Sequence, residues 1–236
     1  MLEREQPLAV RRLVSFAEAV VSGRVEIEGV AGRRVEPAVL EEALVEGGFV
    51  PVTVDPGGRA IGRLRPAVVV DGRMLKGAPD GDRPAEALLV ALGPGYTAGR
   101  DADAVVETQR GPELGRVVWS GTAQPDTAVP AAVLGFAYTR VMRAPRSGTF
   151  RAGAPIGALV AEGDAVGSVD GERVLARIGG LLRGLLADGV AVEVGTKVGD
   201  IDPRGMAVDP ALVSDKARAV AAGVLEAVTF GLARRR

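Results

Sequence analysis

The sequence predicts an α/β region, followed by an all-β module and a final helix. Three observations lead to this fold class. Short apolar runs alternate with helical periodicity in the first half, a repeat of 32 residues occupies part of the second half, and the last segment returns to helical spacing. We place the boundaries at 1–139, 140–205 and 206–236, and we expect the last segment to pack back on the first.

Apolar residues at helical spacing predict a first helix over 7–22, which ends at Gly23. A second helix begins at Pro37 and ends before Gly47, with an apolar side predicted to consist of Val39, Leu40, Leu44 and Val45. The last segment predicts a helix over 213–232.

The strand candidates of the first region are short and nearly continuous apolar runs. Those that alternate with the helices lie at 25–30, 49–54, 67–70 and 87–92, and after Gly99 two further candidates, at 104–108 and 116–120, are joined through 110–113. Because such runs between helices are typical of strands buried on both faces, the region predicts a parallel sheet covered on both sides.

The repeat aligns SGTFRAGAPIGALVAEGDAVGSVD, which begins at Ser147, with GGLLRGLLADGVAVEVGTKVGDID, which begins at Gly179. A strand-turn-strand unit cannot bury its apolar face alone, so the two copies are predicted to pack as a small β sandwich with pseudo-twofold symmetry. The pattern that closes each half resembles the barrel-sandwich hybrid of biotinyl and lipoyl carrier domains. Those domains modify a Lys in the hairpin between the halves, whereas Lys197, the one Lys of this repeat, matches Ala165. We therefore expect no covalent biotin or lipoate.

Composition excludes several classes of function. The chain has no His and no Cys, so thiol or imidazole catalysis and His- or Cys-ligated metals are excluded, and we predict no metal site. The 29 basic residues nearly balance the 30 acidic ones, and aromatic residues make up 3%, so nucleic-acid binding is not expected. No signal peptide or apolar run long enough to span a membrane is visible, which predicts a cytoplasmic protein that does not contact membranes.

The segment 92–99 is the first candidate site. Gly93, Gly95 and Gly99 permit positive φ and close backbone approach, so their N–H groups would surround an anion to which Thr97 adds a hydroxyl. The alternative is a tight turn after a strand. Asp71 and Lys76 follow another strand candidate at its carboxyl end, where open α/β sheets bind ligands.

The second candidate site combines Asp202 and Arg204 with the start of the last helix. Ser214 or Asp215 is predicted to cap that helix, which puts Lys216 and Arg218 in its first turn. Because the helix dipole disfavours cations there, an anion nearby would explain them. The alternative is that they form salt bridges with Asp200, Asp202 or Asp215.

With these motifs assembled, the sequence resembles the YqeB family, described as accessory proteins of a selenium-dependent molybdenum hydroxylase system. The resemblance rests on long ordered blocks that include LGPGYTAGRDADAVVETQRG (92–111), KVGDIDPRG (197–205) and SDKARAVAAGVLEAV (214–228). It implies a Rossmann-like first region from which the first βα unit is missing, and a barrel-sandwich module. It also implies a maturation role with the hydroxylase as partner.

We therefore expect an accessory protein that binds an anionic small molecule, either a nucleotide or the molybdenum pterin cofactor. Two alternatives stay open: a transferase or nucleotide-handling enzyme that uses Asp and Lys, and a non-catalytic assembly scaffold. Whether the chain forms a homo-oligomer is also left open by the sequence.

Overall fold

The structure is a computed structural model that describes residues 1–80, 84 and 86–235. It has a mixed α/β fold with many strands in several sheets and a C-terminal helix. The strands are β1 (Leu2–Glu3), β2 (Arg24–Ile27), β3 (Val30–Arg34), β4 (Val50–Val54), β5 (Val68–Asp71), β6 (Leu88–Leu92), β7 (Thr97–Ala98), β8 (Ala104–Val106), β9 (Val117–Val118), β10 (Gly121–Thr122), β11 (Val141–Arg143), β12 (Gly148–Ala152), β13 (Leu159–Val160), β14 (Ala165–Val169), β15 (Glu172–Leu175), β16 (Gly180–Leu185), β17 (Ala191–Val192) and β18 (Lys197–Asp202). The helices are α1 (Glu18–Ser22), α2 (Leu40–Glu46), α3 (Arg59–Leu64) and α4 (Asp215–Arg234).

The chain forms two compact units, each built from two separate stretches of sequence. The first unit comprises Met1–Gly57 and Pro130–Leu212, and the second comprises Gly58–Val129 and Val213–Arg236. The domain boundaries given by the sequence stay a prediction.

The first unit contains a four-stranded sheet with the order β1-β4-β3-β2. Strands β1 and β3 run parallel to β4, and β2 pairs antiparallel with β3. The second unit contains a separate sheet with the order β5-β6-β8-β9, in which β9 is antiparallel to β8. The prediction of a single parallel sheet for the first half was therefore wrong, since the strands divide between two mixed sheets.

The predicted helix over 7–22 is also wrong in extent. The structure has a 3-10 turn at Arg12–Val14 and then the short α1. Ser15 between them is extended, at φ −134° and ψ 123°, and its hydroxyl oxygen accepts a 3.3 Å hydrogen bond from the Ala17 N–H. This local side-chain bond gives the backbone an alternative to a continuous helix.

The apolar side predicted for the second helix is only partly correct. Leu40 is 2% exposed, but Leu44 and Val45 are 50% and 89% exposed, and Ala43 is buried instead. A 3-10 turn at Pro37–Val39 precedes α2. Because a 3-10 turn has about 3.0 residues per turn, Val39 within it does not follow the α-helical spacing from which the apolar side was predicted.

The strands repeat at the offset that the sequence predicts. β12 and β16 begin at residues 148 and 180, β13 and β17 at 159 and 191, and β14 and β18 at 165 and 197, in each case 32 residues apart. They form two sheets with the orders β11-β18-β16-β13 and β15-β14-β12-β17. Each sheet takes one short strand from the other half of the repeat, so neither half completes its sheet alone. Among the described residues these sheets are open and none closes into a barrel.

Helix α4 covers one face of the sheet in the second unit, where Ala227 packs with Leu88, Val90 and Val106. The other face contacts the buried ring of Tyr96. A Cβ on Gly223 of α4 would clash with the Gly115 carbonyl oxygen, so this glycine permits the close approach of the helix. Among the described helices, none combines the length and the apolar composition needed to cross a bilayer.

Candidate functional site

Three strands of the second unit end at one edge of their sheet. Because β5, β6 and β8 are parallel, their carboxyl ends place Asp71, Gly93 and Glu107 at the same edge. This is the edge at which open α/β sheets bind ligands. Two of these residues, Asp71 and Gly93, were predicted from the sequence as site residues.

Asp71 has close partners within the protein. Its carboxylate accepts a 2.5 Å hydrogen bond from the Tyr96 hydroxyl and a 2.7 Å bond from Nη2 of Arg73. Burial raises the pKa of Asp71, but the hydrogen bonds from Arg73 and Tyr96 outweigh it and lower the pKa below its usual value. Burial of the Tyr96 hydroxyl and its hydrogen bond to Asp71 raise the pKa of Tyr96. Asp71 therefore anchors the segment 92–99 as a charged carboxylate.

The glycines of that segment have positive φ, and two of them also lie too close to neighbouring atoms to carry a side chain. Gly93, Gly95 and Gly99 have φ values of +72°, +103° and +89°. A Cβ on Gly93 would lie 2.7 Å from the Thr108 hydroxyl, and one on Gly95 would clash with the Gly77 backbone, whereas one on Gly99 would meet open space. The Thr97 N–H donates a 2.8 Å hydrogen bond to the Asp101 carboxylate, so this donor is already used.

Lys76 and Lys216 lie in one charged cluster of the second unit. The Lys76 ammonium is 2.8 Å from the Asp126 carboxylate. Burial lowers the pKa of Lys216, Arg110 and Lys76 lower it further, and Glu107 and Asp126 act in the opposite direction. Four charged groups therefore lie close enough to Lys216 to influence its ammonium: Lys76, Glu107, Arg110 and Asp126. Lys76 itself has a positive φ of 65°, which a non-glycine residue adopts at a cost in free energy.

The start of α4 follows the predicted capping pattern. Ser214 is the N-cap, and its hydroxyl oxygen accepts a 3.2 Å hydrogen bond from the Ala217 N–H. The Asp215 carboxylate accepts bonds of 2.6 and 2.8 Å from the Arg110 guanidinium, an arrangement that the sequence did not predict. Lys216 and Arg218 lie in this first turn, where Lys216 is half-buried and Arg218 is exposed.

Glu107 is a site residue that sequence reasoning missed. Its side chain is buried, and its two carboxylate oxygens accept 2.7 Å hydrogen bonds from the N–H groups of Gln109 and Gln124. It borders a cavity of about 390 Å³, which is also lined by Glu113, Arg116 and Trp119. Its position directly after a buried strand, as for Asp71, is the signal that could have identified it.

Asp202 and Arg204 belong to the first unit, and the other predicted site residues belong to the second. The buried Asp202 carboxylate accepts bonds of 2.8 and 2.7 Å from Arg204 and one of 3.3 Å from Arg183. The Arg204 bonds lower the pKa of Asp202, although burial opposes them. A ligand pocket that includes these two residues stays a prediction.

No three side chains of the metal-ligating types converge among the described residues. The second unit instead presents lysine and arginine side chains beside a helix N-terminus. This arrangement suits an anion, and it also holds a half-buried amine, that of Lys216, near a buried carboxylate, that of Glu107.

Comparison with known proteins identifies one close relative. The chain is 45% identical over 228 residues, or 97% of its length, to a protein of Escherichia coli (strain K12) named "Uncharacterized protein YqeB". The chain is therefore similar to YqeB over nearly all of its own length. The chain spans 42% of the length of its YqeB relative. No protein-family model matches the chain.

Two solved structures are distantly similar to the chain. The ectoine utilization protein EutE (DoeB) from Ruegeria pomeroyi, in a product-bound structure, is 14% identical with a TM-score of 0.30, covering 85% of this chain and 83% of that one. An aspartoacylase family protein from Mesorhizobium loti is 15% identical with a TM-score of 0.26, covering 36% of this chain and 27% of that one. Similarities of this size carry no argument about fold or function.

Proposed function

We propose that the carboxyl edge of the β5-β6-β8 sheet binds an anionic small molecule. The observation that carries the proposal is the placement of Lys216, half-buried in the first turn of α4, beside Lys76 and Arg110. A cation in this turn opposes the helix dipole, and Lys76 and Arg110 add repulsion, which the carboxylates of Glu107 and Asp126 oppose. An anion bound here would relieve both effects and would also meet the positive end of the helix.

The ligand we propose is a nucleotide or the molybdenum pterin cofactor, held without a covalent bond to the protein. The site would use the segment 92–99 and the two lysines Lys76 and Lys216. Covalent biotin or lipoate is disfavoured because Lys197, the lysine of the repeat, is the first residue of β18 and lies 3.8 Å from the Asp200 carboxylate. The carrier domains instead modify an exposed hairpin lysine.

We further propose that the chain acts in the maturation of a selenium-dependent molybdenum hydroxylase, with the hydroxylase as its partner. The resemblance to the YqeB family supports this role. The same resemblance supports a finer description of the fold, with a Rossmann-like arrangement around β5, β6, β8 and α4. For the repeat it supports a barrel-sandwich hybrid, with which the exchange of β13 and β17 between the two sheets is consistent.

Calorimetric titration with nucleotides, molybdate and the pterin cofactor tests the binding proposal. We expect Lys216→Ala to weaken binding by about tenfold or more, the loss of one charge-assisted interaction. Lys216→Arg should retain part of the affinity. Arg173→Ala, which removes one positive charge at an exposed position of β15, is the matched control and should bind as the parent does. Failure of the folded protein to bind any of these molecules would contradict the proposal.

The second candidate is a transferase or nucleotide-handling enzyme. It is favoured by the lowered pKa of Lys216 near Glu107, because an amine with a lowered pKa exchanges protons more readily near neutral pH. Turnover of a labelled nucleotide that is lost in Lys216→Arg would support the enzyme over the binding protein. Co-purification of the hydroxylase without any small molecule would support an assembly scaffold.

A further inference from the structure

A second cluster of charged side chains lies in the first unit, around the end of β18. Its carboxylates, Asp200 and Asp202, are 6% and 1% exposed. Arg140 forms an ion pair with Asp200, to which the Lys197 ammonium lies at 3.8 Å. Arg183 and Arg204 form ion pairs with Asp202.

Irregularities in the strand pairing bring these side chains together. The register between β16 and β18 shifts between Leu182 and Gly184, which makes Arg183 the extra residue of a bulge. A second shift, between Met142 and Arg143, occurs on the other side of β18. Bulges re-aim side chains and are frequent beside functional sites.

Arg11 enters the same cluster from the N-terminal stretch. A Cβ on Gly184 would lie 2.7 Å from the Val10 carbonyl oxygen and 3.2 Å from Cδ of Arg11, so the glycine lets this segment approach the bulge. Arg183 lies near enough to Arg11 that burial and repulsion from Arg183 together lower the pKa of Arg11 to about 10. Burial, Arg140 and Arg11 lower the pKa of Lys197, although Asp200 opposes them.

Positive charge exceeds negative charge in this cluster. The largest electrostatic effects on Arg11 and Lys197 come from the cations of Arg140, Arg143 and Arg183, from the carboxylates of Asp200 and Asp202, and from Arg11 acting on Lys197. Asp202 already accepts two hydrogen bonds from the Arg204 side chain. Two carboxylates therefore face at least five cations, counting Arg11 and Lys197.

Buried donors in the cluster lack acceptors. The Nε atoms of Arg11 and Arg183 are buried without a hydrogen-bond partner. The other bonds that Arg11 makes are long, at 3.4 and 3.3 Å to the carbonyl oxygens of Pro210 and Leu212. Buried donors normally find an acceptor, and an acceptor with negative charge would also offset the excess of cations.

We propose that Arg11, Arg183 and Lys197 bind the phosphoryl group of a small molecule. The planar guanidinium matches the geometry of a tetrahedral oxyanion through paired N–H donors, and a bound phosphoryl group would supply negative charge to a cluster in which cations exceed carboxylates. This site lies wholly within the first unit, so it is additional to the proposed function of the second unit.

The test is the binding of inorganic phosphate and adenosine monophosphate to the full chain, followed by calorimetry and by the melting temperature. Ionic strength is held constant with chloride. We expect phosphate to raise the melting temperature of the parent protein. Arg11→Gln should weaken phosphate binding by about tenfold or more, while its melting temperature in chloride should equal or exceed that of the parent because a repelling cation is gone. Arg173→Gln is the control for loss of one exposed charge and should respond as the parent does.

Further variants make the outcome decisive. Arg183→Lys keeps the charge but loses the planar donors, and it should also weaken binding. The same phosphate affinity in Arg11→Gln and in the parent, or no response of the parent to either probe, would overturn the site. Loss of the response in Lys216→Ala but not in Arg11→Gln would assign phosphate to the second unit instead, supporting the proposed function and overturning this inference. Binding of adenosine monophosphate at least as tight as that of phosphate would identify a phosphate monoester as the ligand, whereas binding of phosphate alone would identify the free ion.

Discussion

The Tyr96 hydroxyl donates a 2.5 Å hydrogen bond to the Asp71 carboxylate. This bond joins the glycine-rich segment after β6 to the carboxyl end of β5, and it uses the residue that the sequence suggested as a ligand group. Asp71 therefore positions the candidate site from within the sheet. The Arg73 guanidinium, only two residues further along the chain, donates to the same carboxylate.

Removing this hydroxyl tests its contribution to stability. We expect Tyr96→Phe to lower the free energy of unfolding by about 1.5–3 kcal/mol at neutral pH, the range for a hydrogen bond to a charged group. Because the folded pKa of Asp71 is lowered, the difference between parent and variant should shrink as the pH falls through that value. Urea denaturation measures it, with Tyr138→Phe at a 58% exposed position as the control. Equal losses in both variants would contradict the prediction.

Alanine substitutions at Gly95 and Gly99 distinguish the cost of backbone strain from the cost of a steric clash. Both have positive φ, so Ala at either position costs about 1–2 kcal/mol for the left-handed conformation. At Gly95 the new methyl group would also clash with the Gly77 backbone, whereas at Gly99 it would meet open space. We therefore expect Gly95→Ala to be more destabilising than Gly99→Ala by at least about 1 kcal/mol, as measured by urea denaturation. A Gly99→Ala loss that equals the Gly95→Ala loss would exclude the clash.

The chain has three lysines, at 76, 197 and 216, which makes their titration directly measurable. Burial lowers the pKa of both Lys197 and Lys216. After methylation with ¹³C-formaldehyde, their NMR signals should titrate below the value of about 10.4 for an unperturbed lysine, with assignment from Lys→Arg variants. Because a lowered folded pKa means that the unfolded chain binds more protons, these two groups should add stability as the pH rises through that window. A midpoint for Lys216 at or above the unperturbed value would remove the electrostatic support for the anion site.

At Gly223, substitution by Ala should stabilise the protein through helix propensity and destabilise it through packing. Ala is favoured over Gly inside a helix by about 1 kcal/mol. At this position, however, a Cβ would clash with the Gly115 carbonyl oxygen and lie 2.8 Å from Cγ1 of Val106. We expect Gly223→Ala to destabilise the protein in thermal unfolding by about 1–3 kcal/mol and to shift the Lys216 titration, because α4 is displaced.

Ala222→Gly on the exposed face of the same helix is the matched control. It should cost about 1 kcal/mol through propensity alone, without moving the Lys216 signal. A stabilised Gly223→Ala protein would show that the helix can move without loss of packing.

The elements that the sequence predicted well are those decided by local pattern. Helix α4 begins after the Ser214 cap, within two residues of the predicted start, and β4, β5 and β6 fall on the predicted apolar runs. The repeat appears in the strand boundaries because both copies fold in the same way. The predicted continuous helix over 7–22 does not form. Its apolar spacing is helical, but Ser15 is extended and its hydroxyl oxygen accepts a hydrogen bond from the Ala17 N–H, which replaces a helical backbone bond.

The parts of the site that sequence reasoning missed depend on contacts distant along the chain. The Asp215 partner, Arg110, lies 105 residues away in sequence, and Glu107 is held by the N–H of Gln124. Asp202 and Asp215 both look like acidic residues beside cations, yet they belong to different units. No periodicity or motif encodes such partners, because they depend on how the strands are ordered in each sheet.

The ion pairs of Asp202 provide a last test, because this carboxylate is buried. It is 1% exposed and accepts bonds from the side chains of Arg204 and Arg183. Asp202→Asn would leave the partly buried Arg183 without its opposite charge, and we expect a loss of about 3–5 kcal/mol in urea denaturation. Asp188→Asn is the control, since Asp188 and its partner Arg151 are 57% and 63% exposed, and it should lower the stability far less than Asp202→Asn does.

The pH dependence of this loss has a definite sign. The Arg204 bonds lower the pKa of Asp202 in the folded state, so the carboxylate contributes stability that is fully present above the unfolded value of about 3.9 and is lost as the pH falls through the folded value. The difference in the free energy of unfolding between the parent and Asp202→Asn should therefore disappear at acid pH. A gap that stays constant with pH would mean that the lost packing, and not the lost charge, destabilises the variant.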